Sequence, residues 1–154
     1  MQPTSFLHMI ANRPINIALI EDNPGDIRLT QEALGESNMD FHLEVLMDGL
    51  EAIKYLHRTD KYSNAIRPDI ILLDLNLPKK DGREVLAFIK SHSELKRIPV
   101  LVLTTSNSEA DITRAYDYHA NCYITKPIDF NEFIDIVRLI ESFWIKTVKL
   151  PSDL

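Results

Sequence analysis

Five short apolar runs alternate along the chain with segments in which apolar residues recur at helical spacing, and this alternation constrains the fold more than any other feature. Parallel strands need long crossover connections, usually helices, and those crossovers are right-handed. The alternation therefore predicts a single α/β domain, a doubly wound five-stranded parallel sheet with helices on both faces. The predicted strands are residues 15–20, 41–46, 70–75, 99–105 and 122–126.

The strand runs are of two kinds. The third and fourth runs, IILLDL and PVLVLTT, are almost continuously apolar, which is typical of central strands covered by helices on both faces. The second run, FHLEVL, alternates apolar and polar residues, which is typical of a half-exposed strand. We therefore expect the second strand at an edge of the sheet.

Polar residues mark where helices begin. Asn23 and Asp48 are placed to cap the first two helices, and Asp26 lies in the first turn, where a negative charge suits the helix dipole. Asp129 and Glu132 have the spacing of a capping box before the last helix. The helical side chains expected to face the sheet are Ile27, Ala33, Leu34, Leu50, Ile53, Leu56, Val85, Leu86, Ile89, Ile112, Ala115, Tyr116, Phe133, Ile136, Val137 and Ile140.

Composition argues against several classes of function. The 154 residues carry a formal net charge of −6, which opposes binding to nucleic acids and anionic membranes. A single cysteine, Cys122, rules out an internal disulfide and favours a reducing compartment. The N-terminal segment lacks the basic region of a signal peptide, and no apolar run approaches the ~20 residues of a membrane span. We therefore expect a cytoplasmic protein without nucleic-acid or membrane partners.

Polar residues also collect at the carboxyl ends of the predicted strands, where ligands bind in open parallel sheets. The first strand ends in Glu21 and Asp22, the third in Asp74, the fourth in Thr104 and the fifth in Lys126. If the first and third strands are neighbours, the three carboxylates converge, and a cation would have to offset their repulsion. Oxygen ligands without histidine or cysteine favour Mg²⁺.

A lysine and a hydroxyl facing such a cluster would suit a phosphoryl group. Lys126 and the metal would neutralise its oxygens, and Thr104 would donate a hydrogen bond. Asp74 would then be the nucleophile, because carboxylates can form acyl phosphates. Taken singly, each residue has an ordinary explanation as a turn, strand or surface residue. Only their combination at one edge of the sheet favours a site.

The segments LIEDNPGD, ILLDLNLPKKDG, VLVLTTS and YITKP together resemble the receiver domain of two-component response regulators, over residues 14–142. The resemblance implies a flavodoxin-like strand order of 2-1-3-4-5. It also implies that Asp74 accepts a phosphoryl group from a phosphohistidine of a sensor kinase. The implied Mg²⁺ ligands are Glu21, Asp22, Asp74 and the backbone carbonyl of Asn76. Glu21 stands where the family usually has aspartate.

The same resemblance implies a conformational switch. Thr104 corresponds to the switch hydroxyl, Tyr123 to the switch aromatic and Lys126 to the family's lysine, and the Lys126–Pro127 bond is expected to be cis. In the family, phosphorylation draws the threonine and the aromatic side chain inward and remodels the face made by helix four, strand five and helix five. Such a protein is a signalling phosphoacceptor that catalyses only its own phosphorylation and dephosphorylation, and is not otherwise an enzyme.

The longer segments KYSNAIRPDIILLDLNLPKKDGREVL and FWIKTVKLP are similar to the stand-alone regulators that partner cyanobacterial phytochromes, which implies a phytochrome histidine kinase as donor. We divide the chain into an N-terminal extension (1–13), a receiver domain (14–142) and an apolar C-terminal extension (143–154) too short for an output domain. We expect a homodimer through helix four, strand five, helix five and the C-terminal extension. The alternative is that this extension folds back on its own domain.

Three other interpretations stay open. A phosphatase like the haloacid dehalogenases would carry its nucleophile after the first strand, with an aspartate two residues on, whereas Asp74 follows the third strand and is followed by Asn76 at that spacing. A flavodoxin-like cofactor binder would have a phosphate loop rich in Ser, Thr and Gly, whereas EDNPGD is acidic. A receiver-like binding module that is never phosphorylated is disfavoured by the complete acidic set.

Overall fold

Five parallel strands form one sheet in the order β2-β1-β3-β4-β5, in a computed structural model that describes residues 13–36 and 39–151. The predicted fold class and strand order are confirmed, and the second strand lies at an edge. The strands are β1 (Ile15–Ile20), β2 (Phe41–Leu46), β3 (Ile70–Leu73), β4 (Val100–Thr104) and β5 (Cys122–Thr125).

Helices follow the strands in the predicted alternation. A π-helical turn, Glu141–Ile145, extends the last helix. Within the described part of the chain, no helix combines the length and apolar character needed to cross a membrane. The helices are α1 (Pro24–Gly35), α2 (Gly49–His57), α3 (Gly82–Ser91), α4 (Glu109–Asp117) and α5 (Phe130–Ile140).

The helix starts follow the predicted caps with one correction. The side chains of Asn23 and Asp48 accept hydrogen bonds from the backbone amides three residues ahead. Asp129 accepts one from the amide of Glu132, but among the described residues the Asp129 amide donates no return bond to the Glu132 carboxylate, so the predicted capping box is only half formed. The complete box lies at the start of α3, between Asp81 and Glu84.

Two apolar cores, one on each face of the sheet, explain the burial of the strands. Because successive strand residues point to opposite faces, Ile17 and Leu19 of β1 join one core, while Ala18 and Ile20 join the other. Side chains of α1 and α5 complete the first core, and those of α2, α3 and α4 complete the second. All four residues of β3 are buried, which accounts for its continuously apolar sequence.

Two side chains expected to face the sheet do not. Leu50 is 41% exposed and Tyr116 is 48% exposed. In α2 the buried stripe includes Gly49 instead, because a Cβ at that position would lie 1.8 Å from the carbonyl oxygen of Lys80. Tyr116 lies beside the edge strand β5, where its hydroxyl accepts a hydrogen bond of 3.1 Å from the Tyr123 amide, and its ring stays at the surface.

The described part of the C-terminal extension folds back on the domain. Leu150 is buried, and Trp144 and Ile145 pack against the core formed by α1 and α5. Phe143 remains 53% exposed. Residues 1–12 of the predicted N-terminal extension and 152–154 of the C-terminal one lie outside the described residues.

Candidate functional site at the carboxyl end of the sheet

Three carboxylates meet where β1 and β3 end. Glu21 and Asp22 follow β1, and Asp74 follows β3, the neighbouring strand. Backbone hydrogen bonds of 3.0 Å, from Glu21 N to Leu46 O and from Asp74 N to Ile20 O, continue the sheet past the strand ends and hold these residues in line with it. One carboxylate oxygen of each of the three residues lies within 4.8 Å of the other two.

Lys126 is buried among carboxylates, with a side chain that is 4% exposed. Its Nζ donates to Glu21 Oε1 at 2.5 Å, Asp26 Oδ2 at 2.8 Å and Asp74 Oδ2 at 3.1 Å. An ammonium group has three N–H donors, so these three carboxylates engage all of them. The Lys126 amide also donates to Thr104 O at 2.7 Å, which fixes the start of the lysine side chain at the end of β5.

The backbone after Lys126 differs from the expectation. The described residues contain no cis peptide bond, so the Lys126–Pro127 bond is trans, and the prediction of a cis bond is wrong. The trans isomer is the one that X–Pro bonds favour intrinsically, by roughly 0.5–1 kcal/mol.

Asp26 is the member of this cluster that sequence reasoning missed. Its place in the first turn of α1 had a sufficient explanation in the helix dipole. A signal was nevertheless available: only Glu21, Asp22 and Asn23 separate β1 from α1, so the first turn of the helix lies at the same edge of the sheet as the strand ends.

The cluster contains more carboxylates than ammonium groups, and this imbalance shifts the pKa values of Glu21 and Lys126. Burial, assisted by the charge of Asp74, raises the pKa of Glu21 to about 7, against the lowering effect of the Lys126 ammonium. Burial by itself would lower the pKa of Lys126, but its hydrogen bonds to Asp26 and Glu21 outweigh burial and raise that pKa above the ordinary value. Lys126 therefore stays charged, while the raised pKa of Glu21 reflects the cost of burying this carboxylate close to Asp74.

The backbone around Asp74 is tightly packed. The amide of Asn76 donates to Asp74 Oδ1 at 3.2 Å, while the Asn76 carbonyl as a metal ligand stays a prediction. A Cβ added to Gly82, the first residue of α3, would lie 2.3 Å from the Asp74 carbonyl oxygen. Glycine is required there because the helix start touches the backbone of Asp74, which explains the Asp81–Gly82 pair of the sequence.

Thr104 ends β4 in a fully buried position. Its Oγ1 has no hydrogen-bond partner among the described residues. Leaving a buried hydroxyl unpaired costs on the order of 1–3 kcal/mol, and such groups in folded proteins need an explanation. Thr104 can therefore donate to a group that enters the site without first breaking another bond within the described residues.

A second polar network joins Tyr123 to the helices α3 and α4. The Tyr123 hydroxyl donates to Ser106 O at 2.8 Å, and the Ser106 hydroxyl donates to Asp111 Oδ2 at 2.5 Å. Arg83 donates to both oxygens of Asp111, at 2.9 and 2.7 Å. The bonds from Arg83, and then that from Ser106, hold the pKa of Asp111 well below its ordinary value. Arg83 and Asp111 escaped sequence reasoning because 28 positions separate them and no local pattern pairs them.

Sequence comparison agrees with this geometry. The sequence-family model of the response regulator receiver domain matches residues 17–138 of this chain. The response regulator Rcp1 of Synechocystis sp. is 52% identical over 142 residues, which cover 92% of this chain and 97% of Rcp1. The probable methanogenesis regulatory protein FilR2 of Methanothrix harundinacea is 40% identical over 142 residues, covering 92% of this chain and 91% of FilR2.

Solved structures give the same result. The crystal structure of the Mn²⁺-bound form of Rcp1 matches with a TM-score of 0.89 at 52% identity, covering 90% of this chain and 100% of that one. The crystal structure of the phosphorylated cyanobacterial phytochrome response regulator RcpA matches with a TM-score of 0.89 at 56% identity, covering 91% of this chain and 100% of that one.

Proposed function

Because the chain belongs to the response regulator receiver family, whose members are signalling proteins, we propose that Asp74 accepts a phosphoryl group from a phosphohistidine of a sensor histidine kinase. The observation that carries this proposal is the position of Asp74 at the carboxyl end of β3, beside Glu21 and Asp22 and 3.1 Å from Lys126 Nζ. The phosphorylated protein would signal through altered contacts with other proteins.

The donor set fits a divalent cation, and we propose Mg²⁺. Glu21, Asp22 and Asp74 offer only carboxylate oxygens, which hard cations prefer. Their mutual span of 4.8 Å suits ligands on one octahedral ion with bonds of about 2.1 Å, once the side chains close slightly. These residues would hold the ion together with the Asn76 carbonyl. When bound, the ion supplies positive charge that offsets the phosphoryl oxygens and the carboxylates.

Phosphoryl transfer would use this chain's residues in separate roles. A carboxylate oxygen of Asp74 attacks phosphorus, and the phosphorus–nitrogen bond of the phosphohistidine breaks as the oxygen–phosphorus bond forms. The electron pair of the broken bond stays on the imidazole nitrogen, which then takes up a proton. Lys126 Nζ and Thr104 Oγ1 donate hydrogen bonds to the transferred oxygens. Hydrolysis of the acyl phosphate by water returns the carboxylate.

The switch would use the unpaired hydroxyl and the aromatic residue of β5. A hydrogen bond from Thr104 to a phosphoryl oxygen would pull the segment after β4, which includes Ser106. Because the Tyr123 hydroxyl donates to the Ser106 carbonyl at 2.8 Å, such a movement would alter this bond and release or redirect Tyr123. The change would reach the α4–β5–α5 face, as a local electrostatic event that biases a two-state element.

A phytochrome is the kinase that we propose as the donor. RcpA is described as a cyanobacterial phytochrome response regulator and is 56% identical to this chain. A bacteriophytochrome response regulator, AtBRR, is 40% identical with a TM-score of 0.69. The input would then be red or far-red light. We place the reaction in the cytoplasm, a reducing compartment that suits the free thiol of Cys122.

A groove of about 480 Å³ beside the site is a surface on which the kinase could dock. It lies between α1 and the segment before α5, and its lining includes Asp26, Leu29 and Phe133. Ile128 and Phe130 line it as well and are strongly exposed. Because Asp26 also bonds to Lys126, the groove adjoins the site, and an apolar kinase surface seated there would bring its phosphohistidine near Asp74.

We further propose a homodimer through the α4–β5–α5 face and the exposed start of the C-terminal extension at Phe143, although Trp144, Ile145 and Leu150 fold back on their own domain. Leu139 and Phe143, one helical turn apart, are 66% and 53% exposed, and they are the apolar side chains that we propose to be covered by the second copy. Sedimentation of the double variant Leu139→Ser and Phe143→Ser is expected to show a monomer where the wild type dimerises. The matched control is Leu50→Ser, since Leu50 is 41% exposed on α2. If the wild type sediments as a monomer at high micromolar concentration, both with and without phosphorylation, the proposed homodimer is wrong.

One labelling experiment tests the proposed function. The protein is incubated with Mg²⁺ and either a small phosphodonor or a phytochrome kinase, and an acid-stable, alkali-labile phosphoryl adduct is expected. Asp74→Asn should abolish labelling, whereas Asp135→Asn, a control at a side chain that is 74% exposed, should not. Unlabelled wild type with both donors, or full labelling of Asp74→Asn, would contradict the proposal.

A further inference from the structure

Asp26 stands apart from the other carboxylates that hold Lys126. Glu21 and Asp74 follow strands, whereas Asp26 belongs to the first turn of α1. Its Oδ2 lies 2.8 Å from Lys126 Nζ, and among the described residues this ammonium is the only hydrogen-bond partner of the Asp26 carboxylate. The receiver chemistry proposed above does not use this contact.

The backbone of Asp26 is fixed, so its carboxylate is held in place. The Asp26 amide donates to Asn23 Oδ1 at 3.0 Å, and the Asp26 carbonyl accepts from Thr30 Oγ1 at 2.8 Å. The next charged residues of α1, Arg28 and Glu32, pair with each other at the surface. The start of α1 therefore presents one carboxylate to Lys126 from a rigid helix turn.

Three carboxylates already engage the three donors of Lys126. A phosphoryl oxygen can receive a hydrogen bond from Nζ only if one carboxylate gives up its bond or shares it. The side chains of Glu21 and Asp74 are 4% and 9% exposed, whereas that of Asp26 is 24% exposed. Water can reach Asp26 most readily, and a solvated carboxylate tolerates the loss of its cation better than a buried one.

We propose that Asp26 is a positioning residue that competes with the transferred phosphoryl group for Lys126 and thereby slows phosphorylation of Asp74. In this proposal Asp26 forms no bond to the transferred group and acts only by holding Lys126. The lysine must leave Asp26, the partner that water solvates most easily, before it can stabilise the transferred oxygens. This competition presupposes the phosphoryl transfer proposed above.

The test compares Asp26→Asn with Asp135→Asn. Both substitutions remove one negative charge, and Asp135 lies on α5 with a side chain that is 74% exposed. With a small phosphodonor, Asp26→Asn is expected to be phosphorylated about three- to tenfold faster than wild type, which is less than the full worth of a charge-assisted hydrogen bond because the asparagine oxygen can still accept a weaker, neutral bond. Asp135→Asn should stay within about twofold of wild type, as expected for an exposed charge.

A second readout reports on Lys126 itself. In protein labelled with [¹⁵N]lysine, NMR measures how fast the Lys126 ammonium protons exchange with water in the unphosphorylated state. Exchange should accelerate at least threefold in Asp26→Asn and remain at the wild-type rate in Asp135→Asn, since only Asp26→Asn removes a carboxylate partner of Lys126. A residue with a purely structural role in α1 would not change this signal.

The possible outcomes separate the two proposals. Suppose that the wild type is labelled normally but Asp26→Asn is labelled at the wild-type rate or more slowly. That result would overturn the competition and leave the proposed function intact. Equal acceleration in both variants would also overturn it, because the effect would then be a general reduction of negative charge. An unlabelled wild type would overturn the proposed function and the competition together.

Discussion

The Arg83–Asp111 pair is expected to tie α3 to α4 more strongly than an exposed ion pair would. Arg83 donates two hydrogen bonds to Asp111, at 2.9 and 2.7 Å, and the two side chains are 24% and 18% exposed. The natural comparison is Arg28–Glu32 on α1, a single contact of 3.1 Å between side chains that are 80% and 56% exposed.

The two pairs should differ several-fold in energy. A two-bond, mostly buried contact between charged groups is expected to show a coupling energy of about 1.5–2 kcal/mol. An exposed i,i+4 pair contributes about 0.3–0.5 kcal/mol. Replacing Asp111 alone should lower the free energy of unfolding by somewhat more than the coupling energy, because its carboxylate also accepts a hydrogen bond from the Ser106 hydroxyl.

Two double-mutant cycles measure this difference. Urea unfolding gives the free energy of unfolding for wild type, Arg83→Ala, Asp111→Ala and the double variant, and for the corresponding set at Arg28 and Glu32. Because the pKa of Asp111 is lowered in the folded protein, its contribution is present above the unfolded value near pH 4 and lost as the pH falls further. Equal coupling energies in the two cycles at pH 7 would refute the reasoning.

Three further predictions concern single residues. Gly82→Ala should lower the free energy of unfolding by about 2–3 kcal/mol and slow labelling of Asp74, because the added Cβ would meet the Asp74 backbone. Gly35→Ala is the control, since a Cβ there has nothing within 4 Å, and equal unfolding free energies for the two variants would contradict the prediction. Thr104→Val should leave the free energy of unfolding unchanged or raise it by about 1 kcal/mol, because the hydroxyl is unpaired among the described residues. The same variant should lose phosphorylation-dependent partner binding, and a fall in unfolding free energy of more than about 2 kcal/mol would contradict the unpaired state of the hydroxyl. Burial raises the pKa of Cys122 to about 11, so at pH 8 iodoacetamide should react about a hundredfold more slowly than with the urea-unfolded chain, and the rate should still rise at pH 10; a plateau below pH 9.5 would exclude the shift.

Much of the fold could be predicted from local pattern. The alternation of strands and helices predicts the parallel sheet, and the alternating polarity of 41–46 places β2 at an edge. The inward faces of α1, α3 and α5 were predicted correctly, because each presents a continuous apolar stripe. Errors arose where a neighbour decides the contact: Gly49 takes a buried position against Lys80, and Tyr116 bonds to β5.

By itself the sequence determined which chemical groups stand at the strand ends, because a strand end is a property of consecutive residues. Tertiary structure alone decided how those groups are partnered. Lys126 is separated by 105 positions from Glu21 and by 100 from Asp26. The parallel order β1-β3-β4-β5, with α1 folded against the same edge of the sheet, brings them within hydrogen-bond distance. Such distances in space are not encoded by local spacing. They decide that Asp26 is a partner of Lys126, that the Thr104 hydroxyl is unpaired among the described residues, and that Arg83 bonds to Asp111.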